Sequence, residues 1–141
     1  MTHWLLALLT SWSTLLGPAD TAAECLVLGS LDARRAQAFV EADPALLATV
    51  YAAPELRDAD ARVLAGYTER GLRLRGMAQL RSSCDVLERA DERVVLDVVD
   101  RLGSTEVEGA DGARLLPEDR PTRRTVTLVS TADGWRLLGS R

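Results

Sequence analysis

The stretch Thr127–Arg141, TLVSTADGWRLLGSR, decides the fold. Two short apolar runs flank Asp133-Gly134, and Trp135 opens the second. TADG is the sharpest turn signal in the chain, so the flanking runs predict an antiparallel hairpin. The upstream words RRTVTLVS carry the threonines and valines of a pleated surface. Val126 and Leu128 share one side of their strand, as Trp135 and Leu137 share one side of theirs. A tryptophan there closes the end of a core or lines the mouth of a pocket. The residue pattern favours the plug, with a ligand contact as the alternative.

Upstream of the hairpin the hydrophobic period is 2. RVVLDVVDRLGSTEVEG, residues 93–109, reads as one long strand. Val94, Leu96 and Val98 face one way; Val95, Asp97 and Val99 face the other. GADG marks a turn, and ARLLPEDRPT gives a short strand and an irregular connection. Residues 72–90 alternate in places. Before Gly71 the period is helical. AECLVLGSLDARRAQAFVEA reads as a helix weakened by Gly29, with Asp20 as a candidate cap and Ser30 or Asp32 as alternative starts. Asp43 and Pro44 restart a helix. Residues 53–71 supply another, with Leu56, Val63, Leu64 and Tyr67 as its apolar stripe. Helices followed by four or five antiparallel strands make an α+β layer architecture. No glycine-rich phosphate loop supports a Rossmann-like alternative.

The 141 residues suit one domain. The 17 basic residues are all arginine and are dispersed among 21 acids, which gives no basic face for nucleic acid. Lysine, asparagine and isoleucine are absent, a bias that fits a GC-rich genome. Cys25 and Cys84 form one disulfide if the chain is exported, or two packed thiols; their apolar surroundings favour thiols. WLLALLTSWSTLLG is short for a bilayer span and resembles the apolar core of a signal peptide. Residues 1–19 are therefore read as a leader and 20–141 as the domain. The chain is expected to be exported or membrane-associated through that leader, with a cytoplasmic location as the alternative.

LDARRAQAF, DPALLATVYA, DADARVLAGYTERGLRLRG, VVLDVVDRL and RRTVTLVSTADGWRLLG resemble the NTF2-like (SnoaL-like) superfamily. They resemble more closely a group of small actinobacterial proteins of unassigned function. The resemblance runs from about Leu31 to Gly139. It implies a cone: a strongly curved antiparallel or mixed sheet wrapped around helices, with room for a pocket. It also implies homodimerisation through the sheet and an upstream membrane or export segment. That superfamily spans isomerases, dehydratases, cyclases and binding domains, so fold alone does not choose an activity.

Histidine filters the chemistry. His3 is the single histidine, and it lies in the leader ahead of the apolar run, so Ser-His-Asp and Cys-His catalysis in the domain lack a base. No metal or cofactor is expected: two distant cysteines do not make zinc spacing, and Glu106, Glu108 and Asp111 lack a calcium-loop pattern. The remaining constellation is Asp97, Asp100, Tyr51, Tyr67 and Trp135. If Asp97 faces the cone, burial raises its pKa toward that of a base, and Tyr51 or Tyr67 supplies a hydroxyl. Solvent exposure of Asp97, or pairing with Arg101 or Arg124, is the simpler account. Arg34-Arg35 and Arg123-Arg124 read as solvated termini before they read as an anion site; Arg35 could also tie its helix to Asp97 or Asp100. The expected function is a non-catalytic accessory domain binding a small apolar ligand or a protein partner, with candidate contacts Trp135, Tyr51, Tyr67, Asp97 and Arg35. The rivals are an isomerase or cyclase using an Asp/Tyr pair, and a homodimeric structural module.

Overall fold

The computed structural model describes residues 22–141. The leader at residues 1–19 and the Asp20 cap lie outside the described residues. Helix α1 spans Ala23–Glu41 and runs unbroken through Gly29. It buries Leu28, Leu31, Ala38 and Phe39. It stops at Ala42, whose φ of 56° turns the chain out of the helix. The Asp43 carboxylate then accepts the Ala45 N–H at 3.0 Å, and Pro44 opens a 3-10 helix, Pro44–Thr49. Helix α2, Pro54–Glu69, also starts on a proline. Val63 does not belong to its buried stripe: it is 53% exposed.

Seven strands follow: β1 Arg73–Arg75, β2 Gln79–Arg89, β3 Arg93–Leu102, β4 Glu106–Gly109, β5 Gly112–Leu115, β6 Thr122–Thr131 and β7 Gly134–Ser140. The terminal hairpin is β6–β7, with Thr131 opposite Gly134 and Gly134 at φ 108°. The long strand expected over residues 93–109 is two strands. The break falls at Gly103–Thr105, where the Gly103 N–H bonds Ala78 O at 2.8 Å. A Cβ on Gly103 would sit 3.2 Å from that carbonyl and from the Leu80 side chain, so glycine permits the close approach.

That break corrects the expected cone. Among the described residues no strongly curved or closed sheet wraps the helices. The strands form a four-stranded sheet, β2-β3-β6-β7, and a three-stranded one, β1-β4-β5, with every ladder antiparallel. Each has its own core. Cys25, Leu28 and Leu31 of α1 pack on Val94, Leu96, Val98, Val126, Leu128 and Leu137 of the larger sheet. Ala38, Phe39, Leu47, Leu64, Leu74 and Val107 form the second cluster. Tyr51 packs against both.

The cysteines are also corrected: Cys25 and Cys84 form a disulfide that joins α1 to β2, with Cα atoms 6.2 Å apart. Ion pairs flank it on the same seam. Arg89 holds Glu24 at 2.5 and 3.0 Å, and Arg81 holds Asp32. Pairing places both sulfurs among apolar side chains without leaving a polar group unpaired, so apolar surroundings did not argue for free thiols.

Candidate functional site

A cavity of about 320 Å³ opens between α1, the start of α2 and the inner face of β3, β6 and β7. Helix α1 brings Asp32 and Arg35 to it, one turn apart. Tyr51 is placed by a short parallel bridge to the sheet edge. Ala52 N–H bonds Leu137 O at 2.7 Å, and Leu137 N–H bonds Val50 O at 2.8 Å. Strand β3 supplies Asp100, β6 supplies Thr122 and Arg124, and β7 supplies Leu137 and Ser140. Asp119 stands in the connection before β6.

Ion pairs hold these groups. Arg124 clasps Asp100 at 3.1 Å (Nε–Oδ1) and 2.6 Å (Nη2–Oδ2), and its Nη1 donates to Ser140 Oγ at 3.1 Å. Asp100 is 3% exposed, so this is a buried charge held by a two-pronged partner. Arg124 Nη2 also stands 3.9 Å from Asp32 Oδ1, and Arg81 takes the other Asp32 oxygen. Behind the wall, Arg35 clasps Asp60 of α2 at 2.6 and 2.9 Å. The Tyr51 hydroxyl donates to the same carboxylate at 2.5 Å.

The titration behaviour follows from burial and pairing. Burial pushes the Asp32 carboxyl above its ordinary range, against the pull of Arg81 and Arg124. Burial also raises the Tyr51 hydroxyl; Arg35 opposes this and Asp60 adds to it. Burial disfavours the Arg35 charge, yet the Asp60 carboxylate holds its pKa above the usual value.

The residues singled out from sequence divide. Tyr51 and Arg35 line the cavity. Asp97 does not; it points to the opposite sheet face, where Arg123 clasps it at 2.9 and 2.6 Å. That hydrogen-bonded guanidinium keeps its carboxyl below the ordinary range. Its partner is thus neither Arg101 nor Arg124, and Arg35 reaches Asp60 instead of Asp97 or Asp100. Tyr67 belongs to the second core with Arg70 over its ring at 5.4 Å. Trp135 packs on the first core beside Ser130, outside this cavity.

Asp32 and Asp60 were missed, though each left a trace. Asp32 follows Leu28 and Leu31 on the buried side of α1. Asp60 fills the helical gap between Leu56 and Leu64. A carboxylate within an apolar stripe signals a buried partner. Among the described residues no group of acidic or cysteine side chains is arranged to hold a metal ion. No described helix is long and apolar enough to cross a membrane.

No protein-family model matches the chain, and no curated protein matches it in sequence. Solved structures do match. The intermembrane-space region of chloroplast protein ARC6 superimposes with a TM-score of 0.63 at 14% identity, covering 88% of this chain and 97% of that one. Aln2 from a Streptomyces species gives 0.53 at 21% identity, covering 85% and 90%. A protein from Catenulispora acidiphila, solved in complex with S-DNPA, gives 0.52 at 19% identity, covering 86% and 92%. Such identities carry the fold and no activity. With helices first, an antiparallel sheet behind them and a cavity between, the described domain shares the fold of these solved structures.

Proposed function

We propose that the domain binds a small molecule in the helix–sheet cavity and performs acid–base chemistry on it, as an isomerase or cyclase does. One observation carries the reading: Asp32 and Tyr51 line the same cavity of about 320 Å³. Asp32 is the group assigned to exchange the proton: it lines the cavity, its Oδ1 takes no hydrogen bond among the described residues, and burial raises its carboxyl above the ordinary range. Tyr51 and Asp60 act as a relay. A proton accepted by the Tyr51 oxygen is matched by transfer of the hydroxyl proton to Asp60, so the phenol never carries charge. Arg35 fixes that carboxylate in place. The Catenulispora protein, which shares this fold, was solved in complex with S-DNPA, and this supports small-molecule binding.

A non-catalytic binding domain is the second reading. It is favoured by the guanidinium already clasping each carboxylate: Arg81 on Asp32, Arg35 on Asp60 and Arg124 on Asp100. The Cys25–Cys84 disulfide further supports an oxidising compartment, and hence export.

Proton exchange separates the two readings. Small ketones and aminoketones are incubated with the protein in D2O, and loss of α-proton signal is followed by NMR. Catalysis is expected to exceed the buffer rate and to fall about a hundredfold or more in Asp32→Asn and in Tyr51→Phe. Binding without exchange would leave only the non-catalytic reading.

A further inference from the structure

The cavity's hydrogen bonds point away from an apolar or anionic ligand. It is lined by three carboxylates, Asp32, Asp100 and Asp119, against two guanidiniums, Arg35 and Arg124. The partners behind the wall, Arg81 and Asp60, cancel one another, so an excess of one negative charge remains. The charged donors are engaged within the protein, while the Gln79 amide and the Ser140 hydroxyl, also in the lining, donate no hydrogen bond among the described residues. Arg124 directs Nε and Nη2 at Asp100 and Nη1 at Ser140. Arg35 directs Nε and Nη2 at Asp60. The hydroxyl protons of Tyr51 and Thr122 go to Asp60 and to Arg120 O.

Acceptors are left over. Asp32 Oδ1 takes no hydrogen bond among the described residues; its guanidinium neighbour, Arg124 Nη2, stands at 3.9 Å. The two Asp119 oxygens take one backbone N–H each, from Leu102 and Arg120, at 2.7 and 2.9 Å. A carboxylate accepts about four hydrogen bonds in all. The Tyr51 and Thr122 oxygens offer lone pairs. Leu56 and Leu137 add a small apolar wall. Such a surface is complementary to a ligand rich in N–H donors, with positive charge and a compact hydrocarbon body.

We propose that the cavity takes a small organic ammonium ion, its N–H groups directed at Asp32 and the neighbouring carboxylates. The inference rests on the reading that this cavity is a ligand site, but not on catalysis there. An anion would meet uncompensated like charge. A purely apolar ligand would strip water from carboxylates without replacing its hydrogen bonds.

Three probes of one shape test it: benzylammonium, benzyl alcohol and benzoate, each titrated into 15N-labelled protein. Benzylammonium is expected to shift the amides near Asp32, Tyr51, Asp100 and residues 119–124. It is expected to bind about tenfold or more tighter than benzyl alcohol, as a charge-assisted hydrogen bond implies. Asp32→Asn and the surface variant Asp119→Asn should each weaken it, and the amide spectrum shows whether either variant stays folded. Equal or tighter binding of benzyl alcohol or benzoate overturns the inference while leaving the cavity a ligand site. No cavity shift with any probe overturns both. Ammonium binding without proton exchange upholds the inference and removes catalysis.

Discussion

Asp60 and Asp97 are both carboxylates clasped by an arginine, yet their surroundings separate their roles. The Asp60 side chain is 13% exposed and answers to Arg35 and Tyr51 together. Removing its charge strands a guanidinium that is itself 29% exposed. The cost therefore lies below the ~3–5 kcal/mol of a fully buried broken pair, at about 2 kcal/mol for Asp60→Asn. Urea unfolding measures it. Asp97 faces an Arg123 side chain that is 75% exposed, so solvent screens the pair. Asp97→Asn is expected to leave the unfolding midpoint where it was. A shift as large as that of Asp60→Asn would show that the outer sheet face is structurally coupled in a way these contacts do not provide. The difference was easy to misread in the sequence: Asp97 interrupts a visibly apolar strand, and Asp60, though it fills the gap between Leu56 and Leu64, has charged neighbours.

At the scale of elements, the seam between α1 and β2 carries the most constraint per residue. The Cys25–Cys84 disulfide closes a loop of 59 residues between two ion pairs. Chain-entropy arguments assign such a loop about 4 kcal/mol. A Cys25→Ala, Cys84→Ala variant is expected to lose that much stability in denaturant titration. Amide exchange should rise first over the start of α1 and over β2, since among the described residues β2 is the edge of its sheet and pairs with β3 alone. Unchanged protection of α1 would mean that Leu28, Leu31 and the ion pairs suffice to hold it. The elements were largely readable. Proline after an aspartate marked the start of the 3-10 helix, alternation marked β3 as a strand with two distinct faces, and TADG marked the last turn. The division into β3 and β4 was not. Gly103 matters because of Ala78 and Leu80, which arrive from another part of the chain.

At the scale of the whole molecule, the two cores meet at Tyr51 and along α1, so the candidate cavity is bounded by the parts that define global stability. This links its charge to the pH profile of the fold. Asp32 has a folded-state pKa above its ordinary 3.8. Between 3.8 and that raised value the folded chain keeps a proton that the unfolded chain has released. Its contribution is therefore fully present below 3.8 and is lost as pH rises through the raised value. Unfolding free energies of the wild type and Asp32→Asn, compared across that window, are expected to diverge with this sign. A difference that grows in the wild type's favour with rising pH would show that Arg81 and Arg124 outweigh burial.

By itself the sequence determined what local periodicity and turn chemistry control: helices before strands, the alternation of β3, the proline starts and the closing hairpin around Gly134. These depend on residues a few positions apart, where sterics and side-chain spacing leave little choice. Tertiary structure alone decided the cysteine pairing, the split into two sheets and the partner of each arginine. An arginine reaches far and accepts any carboxylate, and the chain offers 21 acidic residues. Arg35 finds Asp60 across 25 positions, Arg124 finds Asp100 across 24, and Arg81 finds Asp32 across 49. Those choices, made by packing, turn scattered charges into a cavity with acceptors to spare.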